Sequence, residues 1–475
     1  MAMGRRKKGQ QPTLWIETAQ LATGPGHPFY TRLNQLLDEH RFDTFVERMC
    51  APSYAKTMGR PSLPPAVYFR LLLVGYFEGL DSERGIAWRL ADSLSLRQFC
   101  GYELTEATPD HSTLSRTRRL LPEEYHDAMF GWVLRVLLKA GLLKGKTLGL
   151  DATTLEAAAA MRSIVRRDSG ESYPDYLKRL AEEDGEPEAT RSELARKDRT
   201  RKKKASNKDW KSPHDPDAKI TKMKDGRTHL AHKAEHVVDL VSGAVVAVTV
   251  QPADRGDTKS QEESLEEAAE NLADLLDDET VELSEEDLLK EVVADRGYHS
   301  NAVLETHRKV GIRSYISEPK RPRRRWRGRK QAQEAVYANR RRLRGERSRA
   351  LGRLRAEKVE RSFAHCYETG GLRRVHLRGH SNIRKRVLVH VAAFNLGLAM
   401  RQLLGSGTPR ELRARLRAVF LLLQALQRAF WRLRRDSMAF IQTFKGRPSR
   451  VAERTRLSPS GGRLSSARGT CATGC

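Results

Sequence analysis

The sequence predicts an α/β protein: a mixed sheet flanked by helices, preceded by an all-α N-terminal segment. Three observations predict it. Two apolar runs, Leu148-Gly-Leu-Asp151 and Val292-Val-Ala-Asp295, read as buried strands that each deliver an Asp at their end. Between them, His229 to Leu240 and Ala244 to Val250 carry strand patterns joined by a turn at Ser242-Gly243. After Asp295, a helical pattern over Ser300 to Val310 and a strand over Arg313 to Ser317 give the alternation that implies parallel pairing. Parallel strands bring their C-terminal ends to one edge, so the two Asp residues are expected there together.

The N-terminal elements follow from caps and periodicity. Phe29 to Asp38 has the apolar spacing of a short helix. Pro64-Pro65 opens a mostly apolar helix over Ala66 to Phe77, suited to a core. Asp81 or Ser82 caps a helix whose Ile86, Leu90 and Leu94 share one face, with Trp88 expected as a core aromatic. Thr108 to Arg119 reads as a turn, a cap and a helix start in which hydroxyls alternate with Arg116, Arg118 and Arg119, a pattern suited to phosphate contacts. Glu123 to Ala140 forms another helix, ended by Gly141 and Gly145.

In the second part, Arg162 to Lys224 is dominated by charge and is expected to be a largely flexible insertion, with a short helix over Tyr173 to Glu183. Asp254 and Asp257 precede a helix over Ser260 to Asp277 and are expected in turn and capping roles. Arg355 to Phe363 reads as a helix with Val359 and Phe363 inward, and Glu360 lies on it. Long helices follow over Asn382 to Leu404 and Arg410 to Phe444. The resulting division is a basic arm and short helix at 1–60, a helical unit at 61–145, an α/β unit at 146–404 with a charged insertion at 162–224 and a basic segment at 320–350, a C-terminal helix at 405–446 and a disordered tail at 447–475.

Bulk properties restrict the partners. In 475 residues, 87 Lys and Arg against 60 Asp and Glu leave a formal charge of +27, which points to a polyanion and to nucleic acid first. Cys50, Cys100, Cys366, Cys471 and Cys475 lack metal-ligand spacing, which argues for a reducing compartment and against a zinc finger or disulfide framework. The basic start MAMGRRKKGQQP is followed by no apolar targeting core, and no segment reads as apolar for long enough to span a bilayer. A soluble protein of the cytoplasm and nucleoid is expected, with no membrane partner and no small-molecule substrate.

Two strand-borne Asp residues and one helix-borne Glu suit a particular chemistry. Phosphoryl transfer between nucleic-acid strands uses two divalent ions about 4 Å apart, and hard Mg2+ takes carboxylate oxygens and water. At LGLDATT (Asp151), VVADRGYHS (Asp295) and EKVERSFAHCYETGGLRRVHLRG (Glu360) the chain resembles the DDE transposases of bacterial insertion sequences. The resemblance extends to GRPSLPPAVYFRLLLVGYFEGLDSERGIAWRLADSLSLRQFCG and DHSTLSRTRRLL, and covers about Thr13 to Leu404.

The resemblance implies a ribonuclease-H-like catalytic domain behind an N-terminal helical domain that binds DNA ends. It implies that Asp151, Asp295 and Glu360 are the catalytic and metal-binding residues, holding two Mg2+ ions for which Mn2+ can substitute. The substrate would be double-stranded DNA, as terminal inverted repeats and target, and the active protein a homo-oligomer because two ends must meet. The related enzymes commonly carry a Tyr and an Arg before the Glu and a Lys seven positions after it; here Arg353 stands for the Tyr and Tyr367 for the Lys. Glu357 competes with Glu360, which is preferred for its place in VERSF.

DNA contacts are expected from Arg116, Arg118 and Arg119, from the run Arg323, Arg324, Arg325, Trp326 and Arg327, and from Arg355, Lys358 and Arg361 beside the Glu. Trp326 could stack on an unpaired base. Two other readings share parts of this pattern. A metal-dependent nuclease of the same fold would cut without joining, and a non-catalytic relic of a transposase would bind DNA only.

Overall fold

A computed structural model describes residues 26–55, 62–201, 205–223, 225–276, 288–320, 322 and 324–445. The basic N-terminal arm, Lys202 to Lys204, Arg323 and the tail from Arg447 lie outside the described residues. The chain divides into two compact units, Met1–Leu412 and Arg413–Cys475.

The first unit opens with α1 (Pro28–Glu39), α2 (Phe42–Cys50), α3 (Pro65–Glu78), α4 (Glu83–Asp92), α5 (Leu94–Phe99), α6 (His111–Leu120) and α7 (Glu124–Lys139). Ser82, Ser93 and Asp110 accept hydrogen bonds from the backbone amides of Gly85, Leu96 and Thr113, fixing where α4, α5 and α6 begin. α3 is buried on nearly all sides, as its apolar run predicts. Its Arg70 is held at depth by Asp43, Asn34 and the Phe99 carbonyl. Trp88 and Leu94 correct the expectation: they are 66% and 51% exposed, because α4 ends at Asp92 and buries Ile86, Ala87 and Leu90 instead.

The second part contains β1 (Thr147–Glu156), β2 (Val165–Arg166), α8 (Tyr173–Glu183), α9 (Arg191–Thr200), β3 (Trp210–Lys211), β4 (Lys219–Lys222), β5 (Thr228–Asp239), β6 (Val245–Pro252), α10 (Asp257–Ala273), β7 (Glu291–Ala294), α11 (Asn301–Lys309), β8 (Arg313–Ile316), α12 (Lys330–Leu343), α13 (Glu346–Glu368) and α14 (His380–Leu404). The sheet runs β4-β5-β1-β7-β8, with β6 also on β5. β1 is antiparallel to β5 and parallel to β7, and β7 is parallel to β8. This mixed order, with α10 and α14 on β6 and α13 on β1, β5 and β7, is the ribonuclease-H-like arrangement.

The charged insertion is ordered where described, which corrects its reading as flexible. Charge dominates its composition, but Trp210 is buried under Tyr173 and Tyr176, each about 5.1 Å away edge-on, and a small core forms around them with Ala157, Ile164 and Leu230. Asp215 is fully buried on His232 Nε2 at 3.0 Å.

α14 joins the two parts. It is buried round most of its circumference rather than on one face, packing on α3, α7, α13 and β6 in a core continuous with that of the N-terminal helices. By length and composition alone the helical stretch His380–Arg435 could cross a membrane, against the expectation of none; 72% of its apolar 18-residue window is buried. Arg384 ties α14 to Glu123 (2.7 Å), just before α7, to Asp127 (2.8 Å) on α7 and to Glu267 (3.1 Å) on α10.

Asn395 brackets the start of β6, its Oδ1 accepting from Val245 N at 2.9 Å and its Nδ2 donating to Val245 O at 2.8 Å, in full burial. Replacing it with Ala strands a buried N–H and a buried C=O, at about 1–3 kcal/mol each. Asn395→Ala is therefore expected to lose about 3 kcal/mol or more in urea unfolding followed by fluorescence. A loss under 1 kcal/mol would contradict the placement of this clamp.

In the second unit, the helix α15 (Pro409–Lys445) continues from Arg413 with Leu416, Val419, Leu423, Leu426, Phe430 and Leu433 exposed.

Candidate functional site

The site is built from the edge where β1 and β7 run side by side. Their register pairs Leu150 with Ala294, so Asp151 on β1 and Asp295, directly after the end of β7, follow from neighbouring paired residues of two parallel strands. Local geometry orients both. Asp151 Oδ1 accepts from Ala152 N at 2.8 Å, and Asp295 Oδ1 accepts from Gly297 N at 2.7 Å as it caps a single short turn. Each carboxylate is half-buried.

Opposite charge reaches Asp151 from α13, where Arg355 Nη1 lies 2.7 Å from Oδ2. Arg355 and Asp295 also line a cleft of about 540 Å3 with Ala294, Tyr315, Ser317 and Gly352. The structure thus brings together Asp151, Asp295 and Arg355.

Asp257 joins them. It begins α10 after Gly256 takes the cap position, so it does not cap the helix as expected. A Cβ on Gly297 would collide with Asp257 Oδ2 and lie 3.1 Å from Asp295 Oδ1, so the Asp257 and Asp295 carboxylates both lie against that glycine. Lys233 Nζ balances Asp257 at 2.6 Å. Asp254, by contrast, accepts from Asn207 and stays in a turn role.

Beneath these groups lies a buried polar network that sequence reasoning did not identify. Glu235, fully buried on β5 opposite Ala152, accepts from Tyr298 Oη at 2.6 Å, Ser260 Oγ at 2.9 Å and Ser264 Oγ at 2.5 Å. Lys233 Nζ stands 3.5 Å away. Burial, then Glu235, pushes the Tyr298 phenol far up, and the Asp257 and Asp151 charges add to that push, so all three carboxylates act on one hydroxyl. The signal was available: Lys233 and Glu235 stand two apart, on one face of the strand His229 to Leu240, whose interior position makes charge costly unless paired.

Glu360 is exposed on α13. Tyr367, two turns on and on the same flank, reaches Thr153 Oγ1 at 2.6 Å and Thr154 O at 2.9 Å, just past Asp151 on β1. Lys358, on the other flank, packs against Gly243 at the far end of the sheet. Glu357 points outward and pairs with Arg361 at 2.8 Å. Among the described residues Glu360 has no contact with Asp151 or Asp295, so the structure does not bring it to the two Asp residues as it brings Arg355. Among the described residues, no three His, Cys, Asp or Glu side chains stand close enough to share one metal ion.

The cationic residues separate into tied and exposed sets. Arg118 is bound to Glu83 and Asn382 and holds α6 against α4 and α14. Arg324 reaches Asn301 at 2.6 Å and Glu318 at 2.7 Å. Trp326 is half-buried, tilted on Tyr337 with the Arg324 guanidinium over its ring. Arg116, Arg119, Arg325, Arg327 and Arg361 are exposed, and Lys358 is half-buried.

Residues 17–120 match the family described as Transposase domain (DUF772), and residues 198–396 match Transposase DDE domain. The second match contains Asp295 and Glu360 and begins after Asp151. No curated protein and no solved structure gives a significant match. With the transposase domain and the DDE domain in this order covering more than half of its length, on a ribonuclease-H-like sheet, the chain belongs to the DDE transposases of insertion sequences.

Proposed function

We propose that this transposase binds the ends of its own insertion sequence, cuts the DNA there and joins the freed 3′ ends to a target, with Asp151, Asp295 and Glu360 as its catalytic carboxylates. The observation that carries the reading is that Asp151 on β1 and Asp295, directly after β7, follow from the paired residues Leu150 and Ala294 of two parallel strands. The donor set suits hard divalent cations: Asp151 and Asp295 are oxygen donors, each with one oxygen fixed by a backbone amide. Bound Mg2+, or Mn2+ in its place, would activate the attacking oxygen and stabilise the leaving one.

In each step an oxygen nucleophile, first water and then a DNA 3′ hydroxyl, adds in line to a phosphodiester while the opposite P–O bond breaks. Glu360 supplies the third carboxylate from the α13 flank. Arg355 neutralises Asp151 before substrate arrives and is placed to turn to the scissile phosphate. Glu235, Lys233 and Tyr298 hold the strand and the Asp257 side of the site in place from below. The exposed Arg116, Arg119, Arg325, Arg327 and Arg361, with Lys358, supply salt-sensitive contacts to the duplex.

The test is to incubate purified protein and Mg2+ with DNA carrying the gene's own flanks and to map breaks and joined products. Breaks at fixed positions with 3′-end joining support transposition. Cutting without joining would favour a nuclease of the same fold, and binding without cutting a relic.

Gly297 offers a finer probe. Ala at this position puts a methyl group into Asp257 Oδ2 and tight against Asp295 Oδ1, so Asp257 must move and Asp295 is pressed with it. Gly297→Ala is expected to slow cleavage about tenfold to a hundredfold, since small misplacements at a reacting centre are costly. Its melting temperature should stay near wild type. Unchanged cleavage would show that Asp295 is held elsewhere.

A further inference from the structure

We propose that a cationic pocket between the two matched regions holds a phosphate of the DNA backbone a short distance along the strand from the carboxylates; this rests on the transposase reading. The pocket encloses about 320 Å3 between the start of α4, the start of α6, the Gly371–Leu377 segment and α14. Arg84, Arg374, Lys385 and Arg386 line it, and so do Asp81 and Glu83.

Both acids are already engaged. Glu83 pairs with Arg118, and Asp81 accepts from His376 Nε2 at 3.1 Å. No carboxylate within ion-pair distance is described for Arg84, Arg374, Lys385 or Arg386. The last two form the floor. Lys385 is 7% exposed and donates to Leu121 O at 2.8 Å and Arg118 O at 3.2 Å. Arg386 is 8% exposed and donates one hydrogen bond, to Leu80 O at 2.7 Å.

Charged groups at this depth are ordinarily paired, because leaving water is costly for an ion. Burial pulls both groups down, Arg386 to about 10, and outweighs the more distant pull of Glu123 on Lys385 and of Asp81 on Arg386. A phosphate group would supply the missing negative charge, and Arg in particular offers it a planar set of donors. Arg84 and Arg374 are exposed and form the rim, where a backbone would pass.

Position relates the pocket to the site. Val375 N, one residue after Arg374, donates to Glu156 O at 2.8 Å at the end of β1. Asp151 lies five residues back on that strand, about 17 Å at roughly 3.3 Å per residue. That is about five base steps of duplex at 3.4 Å each. Arg84 comes from the transposase domain and Arg374, Lys385 and Arg386 from the DDE domain, so one phosphate here would engage both.

The test uses the full chain and a labelled duplex bearing the element's end, with anisotropy measured over a salt series. Arg84→Gln with Arg374→Gln, both rim positions, is expected to weaken binding about tenfold and to reduce the slope of log K against log salt by about 1. Lys309→Gln, an exposed charge on α11, should leave the slope unchanged. A single methylphosphonate is then walked along the duplex: at one position it should weaken the wild type about tenfold and have no further effect on the double variant.

An unchanged slope, or a methylphosphonate penalty that adds in full at every position, would overturn the proposal while wild-type binding leaves the transposase reading intact. A wild type without affinity for the end would overturn both. Inorganic phosphate alone forms a separate arm: if it raises the melting temperature of the wild type but not the double variant, and DNA affinity is equal in the two, the site takes a free anion and the DNA assignment falls.

Discussion

Asp295→Asn is expected to lower strand cleavage by at least about a thousandfold while leaving affinity for the element's end within about twofold. Asp295 follows directly from β7 and its Oδ1 is held by Gly297 N, so Asn keeps the shape and one hydrogen bond and loses the charge. A thousandfold corresponds to about 4 kcal/mol, within the several kcal/mol that a metal site contributes to transition-state charge. Asp151→Asn should behave alike and should also release Arg355 from its 2.7 Å ion pair. Cleavage at a tenth of wild type or more in either variant would move the chemistry elsewhere.

Acid is expected to destabilise the first unit steeply between about pH 6.5 and 5. His126, His236 and His307 are buried, and burial pulls them down to about 3, 3 and 4. Their hydrogen bonds suit neutral rings: His126 lies between Tyr68 Oη and Pro122 O, His236 on Ser362 Oγ and His307 on Ser314 Oγ.

Above pH 6.5 neither the folded nor the unfolded forms of these rings carry charge, so they add no pH dependence. Below it the unfolded chain takes up protons that the folded chain refuses, and stability falls by up to about 1.4 kcal/mol per pH unit for each ring. Glu267 works the other way: burial raises it to about 7, against Arg384, so its share of stability falls as pH rises through this window. With a fourth slope from His390, which burial also pulls down to about 3, four slopes against one leave a net loss of up to roughly 4 kcal/mol per pH unit, large beside a total of about 5–15. Urea unfolding at pH 7.5, 6 and 5 measures it. Equal stability across that range would show that these rings are protonated in place.

Much of the sheet and its two Asp residues was legible because apolar strands and turn residues are local signals. β5, β6, α11 and β8 fall where periodicity placed them, and the strand-helix alternation implied the shared edge of Asp151 and Asp295. Arg355 meeting Asp151 was not legible, since it depends on how α13 crosses the sheet, 204 residues away in sequence. Asp257 was misread as a cap because Gly256 could take that position. The insertion looked flexible because charge outnumbers apolar residues there, yet three aromatic side chains suffice for a small core. Trp88 shows the converse, an aromatic whose helical phase left it outside.

The most direct measurement of the central claim is a Mn2+ titration of the protein bound to its end duplex, followed by electron paramagnetic resonance. Wild type is expected to bind Mn2+, Asp151→Asn, Asp295→Asn and Glu360→Gln each to weaken that binding at least about tenfold, and Glu357→Gln to match wild type. Wild-type titrations from the Asp151 and Asp295 variants would contradict the account, and loss in Glu357→Gln rather than Glu360→Gln would exchange the third carboxylate.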